Sequence, residues 1–302
     1  MIKHPQHRLG MIYACLAYLG WGFFPIYWKF LKHVPLMQIL SHRVLWAFVF
    51  YTLILLYKER RFTFFKPENK KTIINLSLAS VLLMGNWLVY IYAVNSNQIV
   101  ESSLGYFINP LVNILIGVFF LKEKLSKYQI VASFLAAIGV LIISLDQGHI
   151  PYIALFLAVS FSLYGLLKKL NPVSGLKSNQ FESMIIVPMA LLFLFSQPTD
   201  WVTNSNINQS VLFLVGSGVI TGLPLIFFAE ATQRIPYYLM GFFQFLAPTI
   251  QFLSGVLIFS EPISLLELKG FIFIWVAGFL LIANSWWSTH QAKKIVMGTN
   301  GL

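Results

Sequence analysis

SLGYFINPLVNILIGVFFLKEKL, residues 103–125, returns later in the same chain as MGFFQFLAPTIQFLSGVLIFSEPI, residues 240–263. Pro110 aligns with Pro248, Asn113 with Gln251, Gly117 with Gly255 and Glu123 with Glu261, all at one constant offset. The chain is a duplication. Each copy is an apolar run of about 20 residues, the length at which an α-helix crosses roughly 30 Å of hydrocarbon. Both copies hold a proline and side-chain amides inside the run, and polar groups are costly enough at that depth to mark where function should be sought.

Composition places the rest of the chain in the same environment. Of 302 residues, 58% are hydrophobic, 16% aromatic and only 10% charged, with a mean hydropathy of +0.75. Such a chain cannot build a water-soluble globule and reads as an all-α polytopic membrane protein. The net charge of +11 is spread over many connections rather than gathered in one patch, which excludes nucleic acid as a partner. Cys15 stands alone and reads as an inert buried thiol. No Cys/His cluster has metal-ligand spacing, and no cofactor is expected. The chain has no HExxH, GxSxG or phosphate-cradling glycine loop, and no nucleotide-binding domain, so neither an enzyme nor an ATP-driven pump is expected.

Hydropathy divides the chain into ten helices. The first, Leu9 to Trp28, is too long for a signal peptide and lacks a cleavage pattern, and Pro25 should kink its far end. The others are expected at 37–57, 72–94, 102–121, 128–145, 152–167, 180–197, 210–230, 237–259 and 265–287. Small residues Ala132 and Ala136 in the fifth could support close helix contact. With the N-terminus inside, almost all connecting Lys and Arg fall on the cytoplasmic side, most densely in 58–71, and only Lys29 and Lys32 fall outside. Each repeat holds five helices, an odd number, so the second repeat (148–288) enters the membrane inverted relative to the first (1–147), leaving a cytoplasmic tail at 289–302. Two inverted five-helix repeats around a central site are a recurring build of secondary transporters.

The polar residues within the spans are the candidate site. Tyr106, Asn109 and Asn113 share one face of the fourth helix, and Gln244, Pro248 and Gln251 one face of the ninth. Tyr106 with Gln244, and Asn113 with Gln251, are repeat partners, so the two stripes should face each other, either lining a substrate cavity or gluing the bundle by interhelical hydrogen bonds. Pro110 and Pro248 free backbone carbonyls and, with Pro25, are candidates for gating kinks. Arg43 must face the interior or snorkel. It either pairs with helix-end carbonyls or a carboxylate such as Glu101, or attracts an anionic substrate group. Trp21, Trp87 and Tyr90 lie deep enough to line a cavity for flat or amphipathic solutes, while Trp28 and Trp286-Trp287 read as interface anchors. Glu182 and Glu230 near inner helix ends read as solvated by default, or as carriers of a coupling proton if partly buried. Glu123 and Glu261 at repeat-equivalent helix exits read as partners of backbone or basic groups.

Trp21-Gly22, Pro35, Arg43, the Asn109-Pro110 and Gly117 of the fourth helix, Glu123-Lys-Leu125 and Gly139-Val140 resemble the first EamA repeat of the drug/metabolite transporter superfamily. ESSLGYFINPLVN (101–113), FFAEATQRIP (227–236) and GFFQFLAPTIQFLSGV (241–256) resemble its RarD subfamily. In the second repeat Tyr164-Gly165 stands where Trp-Gly would be expected, and Glu182 lies near the place corresponding to Arg43. The resemblance implies a ten-helix permease of the bacterial inner membrane with both termini cytoplasmic and a central cavity. Its cargo would be a small metabolite or drug-like solute, amino-acid-like or amphipathic, moved by alternating access in export or exchange. A proton or counter-solute as coupling partner and a homodimer are compatible with it. A channel and a membrane receptor or signalling protein are the alternatives that remain.

Overall fold

Inside a bilayer no water satisfies backbone N–H and C=O groups, so a chain this apolar must close its hydrogen bonds within each segment. In the computed structural model, which describes residues 5–31, 33–95, 99–145, 152–196, 207–259, 264–266 and 268–280, the regular elements among those residues are all helices. The first span is α1 (Pro5–Gly22) continued by α2 (Phe24–Lys29). Then come α3 (Leu36–Glu59), α4 (Lys70–Asn95), α5 (Ile99–Phe119), α6 (Lys127–Leu145), α7 (Tyr152–Leu170), α8 (Gly175–Ser196) and α9 (Ile207–Arg234). The ninth span is α10 (Tyr237–Gln244) continued by α11 (Leu246–Phe259), and α12 (Leu268–Leu280) is the tenth. Eight of these spans are long and apolar enough to cross a membrane, and Gly105–Phe119 and Leu268–Leu280 are shorter apolar helices. The expected break at 146–151, the side chain of Glu101, Glu261, Trp286, Trp287, the tenth span beyond 280 and the 289–302 tail lie outside the described residues.

Proline acts unequally. The first span breaks at Phe23 and restarts with Pro25 in the first turn of α2, where its missing N–H costs nothing. The ninth breaks at Phe245, three residues before Pro248. Pro110 sits inside an uninterrupted α5.

The start of α8 differs from the expected 180 because polar residues just before it that read as loop are buried helix. α8 begins at Gly175, whose N–H is capped by the Glu230 carboxylate at 2.6 Å. Ser178 and Asn179, ahead of the expected start, and Gln180, Glu182 and Ser183 after it all lie in this helix and all are buried. Glu182 is therefore two turns inside the protein, which corrects its default reading as a solvated helix-end residue.

The contacts obey the duplication. α3 packs on its repeat partner α8, α5 on α10, and α6 on α12. The pairing of α1 with α9 is matched by that of α7 with α4, and α5 with α7 by α1 with α10 and α11. Along α5, Gly117 meets Tyr238, Ile114 meets Gly241 and Asn109 meets Gln244, so α5 and the ninth span run antiparallel, as an inverted repeat requires. Ala132, Ala136 and Gly139 of α6 bring that helix close to α12, where the backbones of Gly139 and Gly270 meet without room for a methyl group. Two interfaces break the symmetry. α3 lies closely along α9 while its mate α8 touches α4 lightly, and α5 packs along α10 but scarcely meets α11.

Candidate functional site

Arg43 projects from α3 into the bundle. Its guanidinium carbon lies 4.8 Å from the centre of the Trp28 ring and 4.9 Å from that of Trp87, with Phe24 at 6.0 Å. Its Nε donates to Thr221 Oγ1 on α9 at 3.1 Å. Tyr90 and Tyr106, with ring centres 6.1 Å apart, lie close enough to feel its charge. Aromatic faces stabilise a cation without neutralising it, and among the described residues no carboxylate forms an ion pair with Arg43. The terminal nitrogens of the guanidinium make no hydrogen bond to a described residue, and the side chain is only partly buried. A planar fork of donors held on aromatic faces at membrane depth matches the geometry of a carboxylate or similar oxyanion. Trp28, read from sequence as an interface anchor, is part of this cage, and Thr221 was missed because a lone threonine in an apolar span carries no signal.

The amide stripes do meet, and they hold each other. Asn113 Nδ2 donates to Gln244 Oε1 at 2.5 Å, and Gln244 Nε2 donates to Asn109 Oδ1. Asn109 Nδ2 in turn donates to the Ala158 carbonyl at 2.5 Å and to Ser162 Oγ at 3.0 Å, and the Tyr237 hydroxyl donates to the Ser162 carbonyl at 2.5 Å. Asn109, Asn113 and Gln244 are 2%, 0% and 5% exposed, so this chain of bonds knits α5, α7 and α10 rather than lining open space. Gln251 stands apart, donating to the Trp21 carbonyl at 3.0 Å. Trp21 packs edge-on against Tyr18 and Phe161 in the main core, against which Trp87 also packs. Tyr106, 37% exposed, is the open member of the stripes. Of the prolines, Pro110 presents its carbonyl to Gly241, where the two helices cross without an intervening side chain.

The carboxylates have three kinds of partner. Lys122 adopts a left-handed conformation (φ 54°) just past α5, and the N–H of Glu123 closes back onto the Gly117 carbonyl at 2.9 Å in a wide turn that satisfies a helix-end carbonyl. That turn aims Glu123 at the start of α10, where its carboxylate accepts the N–H groups of Tyr237 at 2.7 Å and Tyr238 at 2.9 Å. Glu230 caps α8 and pairs with Arg234. Glu182 is paired with Lys168 at 2.5 Å, and the two side chains are almost wholly buried. The lysine was missed because a basic residue in the last turn of a span ordinarily reads as a headgroup contact.

Comparison with known proteins bears on this geometry. The model of the EamA-like transporter family matches residues 8–145. The chain is 41% identical over 297 residues to the "Uncharacterized transporter YojE" of Bacillus subtilis (strain 168), covering 97% of this chain and 99% of that protein. It is 36% identical to "Protein RarD" of Escherichia coli (strain K12), covering 96% and 99%. It is 24% identical to the "Chloramphenicol-sensitive protein RarD" of Pseudomonas aeruginosa, covering 94% and 96%. A solved crystal structure superposes with a TM-score of 0.71 at 16% identity, covering 90% of this chain and 96% of that one. That likeness speaks for the fold alone.

Proposed function

Since this chain belongs to the RarD branch of the EamA-like transporter family, we propose that it is a secondary-active carrier that exports or exchanges a small anionic metabolite or drug-like solute by alternating access. The chain is an integral membrane transporter, not an enzyme. The setting we assign is the bacterial inner membrane with both termini cytoplasmic. The observation that carries the solute class is the Arg43 cage, with Trp28, Trp87 and Thr221 holding a guanidinium that has no carboxylate partner among the described residues. An oxyanion of the solute would complete its charge, and the tyrosines and indoles around it suit a flat or amphipathic remainder.

Alternating access is supported by the asymmetry of the amide clasp. The repeat mate of Asn113 with Gln244 is Gln251 with Tyr106, and no hydrogen bond joins that second pair. One end of the α5 crossing is fastened and the other is parted, which is what an inverted repeat caught in one of two states should look like. Turnover would exchange one clasp for the other.

The test begins with thermal stabilisation of the purified protein by small aromatic carboxylates against their matched amides, followed by counterflow in proteoliposomes. Carboxylates should stabilise, amides should not, and uptake should saturate. Arg43→Ala should abolish uptake while inserting normally. Wild-type uptake in that variant would remove Arg43 from the site, and currents far above carrier turnover would indicate a channel.

A further inference from the structure

Trp87 is a wall shared by two compartments. One of its neighbours is the Arg43 guanidinium. It also borders a separate small cavity of about 20 Å³, lined by Ala47 and Tyr51 of α3, Leu83 of α4 and the polar side chains of Asn179, Glu182 and Ser183 on α8. That is room for a single water molecule.

The polar groups there are unequally satisfied. The three N–H groups of Lys168 are matched by three acceptors, Ser178 Oγ at 2.9 Å, Asn179 Oδ1 at 2.5 Å and Glu182 Oε1 at 2.5 Å. The other carboxylate oxygen, Oε2, has among the described residues only the Tyr164 hydroxyl, at a long 3.4 Å. Asn179 is 3% exposed, yet among the described residues its Nδ2 has no close hydrogen-bond partner: the nearby Tyr51 hydroxyl, which donates to the Gly222 carbonyl at 3.3 Å, is its one loose contact. A poorly partnered donor and an under-used acceptor on one water-sized recess are the two contacts a bridging water needs.

We infer that Glu182 is the proton-binding site of the carrier, reached through this recess, which shares the Trp87 wall with the Arg43 cage. The inference rests on the carrier reading above. The recess water gives a proton to Glu182 Oε2 and takes one from solvent, so that a carboxylate becomes a carboxylic acid and nothing else is consumed. Protonation removes the directly paired countercharge of an enclosed Lys168 ammonium, and a buried charge left without its partner strongly disfavours the packing that encloses it. The other ionisable groups facing the pair are Tyr164 on α7, Tyr51 on α3 and, at longer range, Glu230 on α9, while α4 presents only Leu83 and Trp87. The lightly packed interface of α8 with α4 is thus the one whose closure the proton would govern.

Infrared difference spectra between acidic and alkaline buffer, recorded on the full chain in proteoliposomes, read carboxyl protonation without any solute. The wild type should show a protonated-carboxyl C=O band that Glu182→Gln lacks. The charge-free double variant Lys168→Met with Glu182→Gln should lack it too, and it covers the case in which the single variant does not fold. The same band in these variants would overturn the site. Uptake of radiolabelled benzenesulfonate, an aromatic anion that stays charged at all working pH values, reads the coupling. Wild-type uptake should change several-fold on imposing a pH gradient, and uptake by the double variant should ignore it. A retained gradient response would overturn the coupling. Benzenesulfonate left uncarried by the wild type, with the Glu182 band present, would refute the anionic-solute reading while supporting the proton site.

Discussion

Replacing Gln244 by leucine tests the clasp at its centre. Gln244 exchanges two hydrogen bonds with α5, accepting one from Asn113 at 2.5 Å and giving one to Asn109. Interhelical hydrogen bonds in membrane proteins average about 0.6 kcal/mol and reach about 1.7 kcal/mol. Two of them put the cost of Gln244→Leu at roughly 1–3 kcal/mol. Asn113→Leu should cost less, because Asn113 Oδ1 already lacks a partner and the substitution removes that buried orphan along with the bond. The pair shares one bond, so a double-mutant cycle should return a coupling of about 0.6–1.7 kcal/mol, roughly a 3- to 16-fold change in the unfolding equilibrium. Reversible unfolding in mixed micelles of the wild type, both single variants and the double variant measures all four corners. Additivity within about 0.3 kcal/mol would mean that the two amides do not hold one another.

Other substitutions probe other parts. Gly241→Ala adds a methyl that runs into the Pro110 carbonyl and approaches Ile114 Cγ1 to 2.9 Å, so it should cost about 1–3 kcal/mol by forcing α5 and α10 apart. An unchanged melting temperature would refute that close crossing. Glu123→Gln replaces a charged cap that holds two N–H groups at the start of α10 and should cost about 1–2 kcal/mol, read as faster amide exchange at Tyr237 and Tyr238. Arg43→Lys keeps the charge but loses the flat face that lies against Trp28 and Trp87, so stabilisation by aromatic carboxylates should fall nearly as far as in Arg43→Ala. Full retention by lysine would show that charge alone suffices there.

The ten spans and their inversion were legible because one motif recurs at a fixed offset and because lipid enforces helices. Side-chain pairing was legible only where it was also periodic. The stripe through Asn109 and Asn113 could be aimed at that through Gln244, but whether the two stripes enclose space or close on each other depends on a crossing distance set by Gly241, a residue no pattern singles out. The segment from Gly175 to Asn179 read as a loop because hydropathy averages out partners. Lys168 supplies those partners to Ser178 and Asn179 from the end of α7. Arg43 was recognised by depth, whereas Trp28 and Thr221 became its neighbours only through the breaks and contacts of α2 and α9.

The bonds that knit the repeats also set a timetable for biogenesis. Asn113 leaves the ribosome 131 residues before Gln244, and Arg43 precedes Thr221 by 178. At synthesis rates of about 5–20 residues per second, each waits on the order of ten seconds for its partner. During that wait the first five helices stand with amides that lack their partners and with an Arg43 that has its aromatic neighbours but not its Thr221 acceptor. The nascent half-protein is therefore a natural client for membrane chaperones and proteases, and truncation after the first repeat should yield a fragment that the cell degrades.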